Sequence, residues 1–241
     1  MDPRFRVNVI SSTPNPQQTI YAALHQDYSE GYVYDQMVSG NFPDEQRAGE
    51  IALKRILGGE LHAGPLEHAQ IVFNVGWFPH SVMQQARTHR IASFDVQSMR
   101  YTGERIVKCA ERVLPVEEVF YLRPEGYYTD RKGHKYHYTA HQRNKDLVLC
   151  MEGASRYAEL ISEGFAEEHA RGILPFDYRQ HFVVSLNMRS LGHLLTIRGK
   201  RDAQLEIQQM CQLMLPHFQT WAPQIYSWFE AKQWQKGRLA L

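Results

Sequence analysis

The feature that most narrows the fold is a run at residues 68–78 carrying Ile71, Val72, Phe73, Val75 and Trp77 and stopping at Pro79. Side chains of this kind at this density read as a strand. A proline directly after it sits where a helix opens, because its fixed φ suits the first helical turn and its missing N–H is no loss there. Residues 4–10 set Phe5, Val7 and Val9 against polar neighbours, the period of a half-buried strand, and residues 180–186 read as a third strand leading into a helix over 190–198. Further helices are expected after the Pro14-Asn15-Pro16 turn, over 44–57 with Ala48, Ile51, Ala52 and Ile56 before a stop at Gly58 and Gly59, and from Leu147 through Val148, Met151, Ala154, Tyr157 and Leu160 to Gly164. The remainder is expected as a short helix over 166–174 ended by Pro175, then helices over 203–215 and 216–232. The expected class is α/β (α+β mixed), one domain over 1–241, with helices in the majority.

Residues 122–145 are polar, aromatic and basic without a period, so they read as a loop insertion running into a helix. Its His134, His137 and His141, with Tyr127, Tyr128, Tyr136 and Tyr138, are a pattern that can bind metal or stack on single-stranded nucleic acid, but mixed polar loops are usually only solvated. The balance of 27 Lys+Arg against 26 Asp+Glu gives no global pull on nucleic acid. His62, Glu67 and His68 lack the spacing that puts two imidazoles on one helical face, so no metal is expected. Cys109, Cys150 and Cys211 are too widely spaced for a disulfide framework and are expected buried and reduced. With neither a signal segment nor an apolar run of membrane length, a cytoplasmic protein is expected.

Chemistry concentrates in two places. In the helix opened by Pro79, Val82, Met83 and Ala86 face the core, while Gln85 and His89 are four apart and share another face. Arg90 and Arg100 then bracket Ser93, Asp95 and Ser98; if 98–101 is extended, Ser98 and Arg100 point the same way, a hydroxyl beside a guanidinium fork that suits an anion. The alternative is that these groups merely satisfy a helix end. Farther on, Leu191, Leu194 and Leu195 make an apolar stripe whose next member is Arg198. A guanidinium in a core-facing slot must meet an anion, a carboxylate or a polar cleft, so a structural salt bridge stays open beside a ligand role. Asn187, Arg189, His193 and Thr196 form a separate polar face, and Arg171 alone looks like any surface arginine.

These residues resemble the flavin-dependent thymidylate synthases, whose signature R-H-R-x-x-S-x-N-x-x-S-x-R-Y stands here as the stretch from Thr88 to Tyr101, with Thr88 for the first arginine and Asp95 for the asparagine. The segment from His62 to His68 is similar to H-E-T-P-F-E-H, that from Ala170 to Pro175 to A-R-x-x-L-P, and that from Asn187 to Leu191 to N-x-R-S-L, with His193 and Arg198 following. The resemblance implies a central sheet with surrounding helices, a homotetramer with shared sites, FAD as cofactor, and dUMP, methylenetetrahydrofolate and NADPH as small-molecule partners. It assigns Gln85, Thr88, Val96, Gln97, Ser98, Met99, Arg100, Arg171 and Arg198 to dUMP, with Arg198 catalytic through the pyrimidine and Arg171 reaching the phosphate from a neighbouring subunit. It assigns Gly64, Glu67, Thr88, His89, Arg90, Val96, Asn187, Met188, Arg189 and His193 to FAD. A flavin- or nucleotide-binding relative without synthase activity is the nearest alternative, and a nucleic-acid-binding module using the insertion is the other.

Overall fold

The 68–78 run is apolar at almost every position because its strand lies inside a sheet. The computed structural model describes residues 1–58 and 62–236, with strands β1 (Arg6–Ser12), β2 (Gln70–Pro79), β3 (Ala92–Val96), β4 (Gly126–Thr129), β5 (Lys135–Tyr138) and β6 (Arg179–Asn187). The main sheet runs β1-β2-β6-β3, every pairing antiparallel. Across its two inner strands Ile71 faces Leu186, Phe73 faces Val184 and Val75 faces Phe182, and all six side chains are buried. These cross-strand pairs fix the register, since a slip of one residue would turn them all to the opposite face.

The helices are α1 (Pro16–Gln26), α2 (Val33–Val38), α3 (Glu45–Ala52), α4 (His80–Ala86), α5 (Glu104–Ala110), α6 (Val116–Val119), α7 (Ala140–Ser162), α8 (Glu167–Ala170), α9 (Met188–Arg198), α10 (Leu205–Trp221) and α11 (Pro223–Lys232). The sheet, α4, α9, α10 and α11 enclose the larger core, which includes Phe73, Val82, Leu191, Leu195, Met210 and Phe218. A second core holds Met99, Ile106, Cys109, Phe120, Cys150, Ala154, Tyr157 and Leu160, contributed mainly by α5 and α7. The chain is thus a mixed α/β structure whose sheet is antiparallel.

Several expectations change. Phe5, just before β1, and Val7 within it are buried but Val9 is 38% exposed, and the pairing with β2 shifts beyond it, between Val9 and Ser11. β3 pairs with β6 where no strand was foreseen; a short edge strand with Ser93 and Asp95 exposed carries little apolar signal. The helices α5 and α6 were likewise not foreseen. Residues 122–145 hold the β4–β5 hairpin in place of a loop, and α7 starts at a capping box, Thr139 with Gln142. α3 passes into a π turn over Leu53–Leu57 that ends at Gly58; Gly59, the other half of the expected stop, lies outside the described residues. Pro216 sits inside α10, where buried Met214 and Phe218 pack on either side of it, and the break falls at Ala222, whose φ of −142 and ψ of 72 lie outside the helical region that a following proline disfavours. The three cysteines are free and buried. Among the described residues no helix is long and apolar enough to cross a membrane, and no three His, Cys, Asp or Glu side chains gather as a metal site.

Candidate active site

Two helix ends bring the central cluster together. α4 stops after Ala86, and tight bonds from Thr88 N to Gln85 O and from His89 N to Ala86 O turn the chain there. His89 therefore reaches the site from a turn and not from the helical face that its spacing suggested. At the end of α9 the apolar stripe is buried as expected, and Arg198 emerges from it half-buried.

The Arg198 guanidinium is held by neutral acceptors alone. Its Nε donates to His89 Nε2 at 3.0 Å, and its Nη2 donates to Thr88 Oγ1 at 2.7 Å and Gln85 O at 3.3 Å. No carboxylate pairs with it among the described residues, which removes the structural salt bridge left open by the sequence. Three of its five N–H groups are spent, and the two on Nη1 remain. His89, 7% exposed, must be unprotonated to accept; burial, then Arg198, then His193 hold its pKa down to about 4. The His89 and His193 rings meet edge to face at 5.5 Å. Thr88 spends its hydroxyl on Arg198 and on Gln85 O, to which it donates at 2.7 Å.

A polar chain leads away from this cluster. The Gln85 amide donates to Gln204 Oε1, and Gln204 Nε2 donates to Glu206 Oε2 at 2.8 Å. Glu206, 1% exposed, also accepts from Arg123 Nε at 2.7 Å and from the Tyr121 hydroxyl at 3.0 Å. Burial pushes its pKa up, but the bonds and charge of Arg123 outweigh that and leave it lowered. Burial, Glu206 and its hydrogen bond together raise the Tyr121 hydroxyl well above its ordinary value, so it stays a donor. Arg123, Tyr121 and Glu206 escaped the sequence reading, because partners 83 and 85 positions apart share no local pattern. Gln85 and Arg198 open into a cleft of about 1020 Å³ that is also lined by Tyr127, Tyr128 and Arg131 of the hairpin.

The second strip follows β3. Gln97 N donates to His181 O at 2.9 Å, and the buried Gln180 donates to Gln97 O at 2.5 Å, fixing the backbone beyond Val96. Residues 98–101 form a turn closed by Tyr101 N to Ser98 O at 3.0 Å, so the extended geometry that would point Ser98 and Arg100 the same way is not met. Ser98 Oγ accepts from the Arg100 backbone N–H at 3.3 Å, and the Arg100 guanidinium lies over the Tyr101 ring at 5.5 Å. Met99 packs into the second core, leaving only its backbone for a ligand. Gln97 Oε1 is buried without a partner. Arg171 is exposed on a 3-10 turn over Arg171–Ile173, and no hydrogen bond or ion pair among the described residues joins it, Ser98 or Arg100 to Arg198.

A third group lies at the start of α9. Asn187 caps that helix, its Oδ1 accepting from Ser190 N at 2.7 Å, while Met188 is buried and its N–H donates to Ala69 O. Thr196 is buried and bonded to Gly192 O, so it leaves the polar face assigned to it. Half-buried Arg189 pairs with Glu67 at 2.6 Å, and Gly64 opens a 3-10 turn over Gly64–Glu67 where an added Cβ would meet only His62 Nε2, at 3.9 Å. Arg90 is exposed without an ion pair among the described residues.

Residues 8–224 match the family described as thymidylate synthase complementing protein. The chain is 31% identical over 248 residues to a flavin-dependent thymidylate synthase of Halobacterium salinarum, covering 98% of this chain and 99% of the relative. A flavin-dependent thymidylate synthase of Pyrococcus furiosus is 32% identical over 212 residues, covering 87% and 77%. Among solved structures, a UMP/dUMP methylase of Streptomyces cacaoi bound with 5-Br dUMP superposes with a TM-score of 0.73 at 20% identity, covering 98% and 97%. Thymidylate synthase X of Helicobacter pylori with FAD and dUMP superposes with a TM-score of 0.65 at 20% identity, covering 88% and 92%. At that identity the two structures establish the shared fold.

Proposed function

Since this chain belongs to the flavin-dependent thymidylate synthases, a family that carries FAD and reductively methylates dUMP to dTMP, we propose that Arg198 is the residue that activates the pyrimidine. The observation that carries this assignment is its cradle of neutral acceptors. With no carboxylate against it, the guanidinium keeps its full charge, and the free Nη1 edge can donate to the pyrimidine carbonyl and favour the ionised base. Gln85 fixes the cradle's floor, and Thr88 holds Arg198 in place. Ser98, Arg100 and the backbone of Val96, Gln97 and Met99 bind sugar and phosphate.

The donor set on the third group suits FAD. Gly64 leaves room for close approach, Arg90 and Arg189 are cations within solvent reach of a diphosphate, and the neutral His89 ring stands edge to face with that of His193. Glu67, Asn187 and the backbone of Met188 and Val96 complete the wall. Bound FAD, once reduced by NADPH, supplies hydride, and methylenetetrahydrofolate supplies the carbon. The chain's own work is alignment and charge: among the described residues no base hydrogen-bonds to Ser98 Oγ, which fits a role in binding and not nucleophilic attack. Arg171, exposed and remote from Arg198 in hydrogen bonding, fits a role in the site of a neighbouring subunit, which requires the homotetramer. We read residues 1–241 as one domain and the setting as cytoplasmic, a reading supported by three free cysteines.

The test is tritium release from C5-labelled dUMP with methylenetetrahydrofolate and NADPH, alongside the flavin absorbance of the purified protein. Flavin binding without tritium release would favour the relative that has lost synthesis; no flavin uptake on reconstitution would refute the reading outright.

A further inference from the structure

The hairpin stands beside the reacting groups, and the mechanism above gives it nothing to do. Its base is pinned there: Arg123 donates to buried Glu206, lies over the Tyr128 ring at 5.1 Å, and donates to the Tyr136 hydroxyl at 2.6 Å. Tyr127 is 79% exposed yet its ring is stacked on His137 at 4.3 Å and 12°, which makes it a preset aromatic face at the cleft. A cleft of about 1020 Å³ sits at the top of the roughly 300–1,000 Å³ usual for one small ligand, so it has room for more than the pyrimidine held by Arg198.

Its charge is also unspent. Arg131, in the hairpin's turn, and Arg201, after α9, line the cleft without an ion pair among the described residues. The Asp130 carboxylate is engaged by Lys132 N, His134 N and the His134 ring, leaving Asp202 as the lining acid without such bonds. Two cations from different elements beside a stacked aromatic face suit an extended ligand with a ring at one end and carboxylates at the other, better than one compact phosphate.

We propose that the β4–β5 hairpin is the binding wall for the one-carbon donor, with Tyr127 against its aromatic portion and Arg131 and Arg201 on the carboxylates of its glutamyl tail. This rests on the reaction read above. It makes the hairpin a selector for polyglutamylated methylenetetrahydrofolate, the tail supplying charges for both arginines.

The test compares FAD-loaded wild type with the double variant Arg131→Ala, Arg201→Ala, using monoglutamyl and pentaglutamyl donor. Wild type is expected to show the lower KM for the pentaglutamyl form. The double variant should raise that KM about tenfold and erase the preference, with kcat, KM for dUMP and flavin absorbance unchanged. Tyr127→Leu should raise KM for both donor forms alike. An unchanged donor KM, or a KM for dUMP that rises in its place, would overturn the proposal. If wild type makes no dTMP, the reaction reading fails by itself; equilibrium dialysis with pteroylpentaglutamate then decides the hairpin's role, and equal binding by wild type and double variant overturns it.

Discussion

A neutral His89 has a measurable price in acid. Its Nε2 accepts from Arg198, and burial, Arg198 and His193 hold its pKa down to about 4, against about 6.5 for a free imidazole. As pH falls, the unfolded chain takes up the proton first, through 6.5, while the folded chain resists until about 4. Stability contributed by the neutral ring is therefore complete above pH 6.5, is lost between 6.5 and 4, and falls no further below that. Integrating proton uptake with these two values gives a loss of about 2.5 kcal/mol between pH 7.5 and 4.5. The magnitude is physically consistent, since two unit charges 4 Å apart repel by about 4 kcal/mol at an effective dielectric of 20. The assay is urea unfolding of FAD-free protein at both pH values and one protein concentration, for wild type and His89→Gln. Glutamine can still accept from Arg198 but cannot titrate. His80 and His181, whose pKa values burial also lowers, act equally in both proteins and cancel. Wild type should lose about 2.5 kcal/mol more than the variant. Equal losses, or a His89 imidazole resonance moving with a midpoint near 6.5, would refute the reasoning.

Arg198→Ala should cut dTMP formation about 100- to 1000-fold while flavin absorbance persists, because it removes a preorganised donor to the reacting ring. Thr88→Val should lower kcat/KM for dUMP about tenfold through loss of one bond to the guanidinium, and Thr88→Ser should restore most of it. Glu206→Gln should destabilise the protein by about 3 kcal/mol in urea unfolding, since it strands the partly buried Arg123, and adding Arg123→Met should recover much of that loss.

What the sequence made legible is what local pattern can carry. β2, β6, α9 and the buried trio Val82, Met83 and Ala86 follow from apolar period and a proline, and both ends of the Arg198 cluster lie on them. The leucine stripe exposed Arg198 as an anomaly before any partner was known. Elements stabilised by distant contacts were not legible. Edge strand β3 borrows its hydrogen bonds from β6, the hairpin is held through Arg123, and neither leaves a strong period. The T-x-x-Q capping box at Thr139 was a local signal that could have placed the start of α7 and so bounded the hairpin. Arg179 shows the same limit: 1% exposed, it binds Asp2 at 2.6 Å across 177 positions.

Thr88 is where the chain leaves the family signature, and the geometry gives that departure a physical meaning. An arginine whose charge lay where Thr88 Oγ1 now accepts from Arg198 would set two cations within about 4 Å, a repulsion of roughly 1 to 4 kcal/mol between dielectrics of 80 and 20. The neutral hydroxyl does the opposite, since it accepts. With His89 held unprotonated and Gln85 offering a carbonyl, every hydrogen-bond partner of the Arg198 guanidinium among the described residues is an acceptor without charge. The cradle therefore orients the guanidinium without neutralising it, and leaves the two Nη1 hydrogens to a ligand. A carboxylate in any of these three places would hold Arg198 as firmly and cancel the charge that its role requires. Thr88 thus acts on the reaction through Arg198, so its loss should register in dUMP kinetics and leave flavin affinity unmoved.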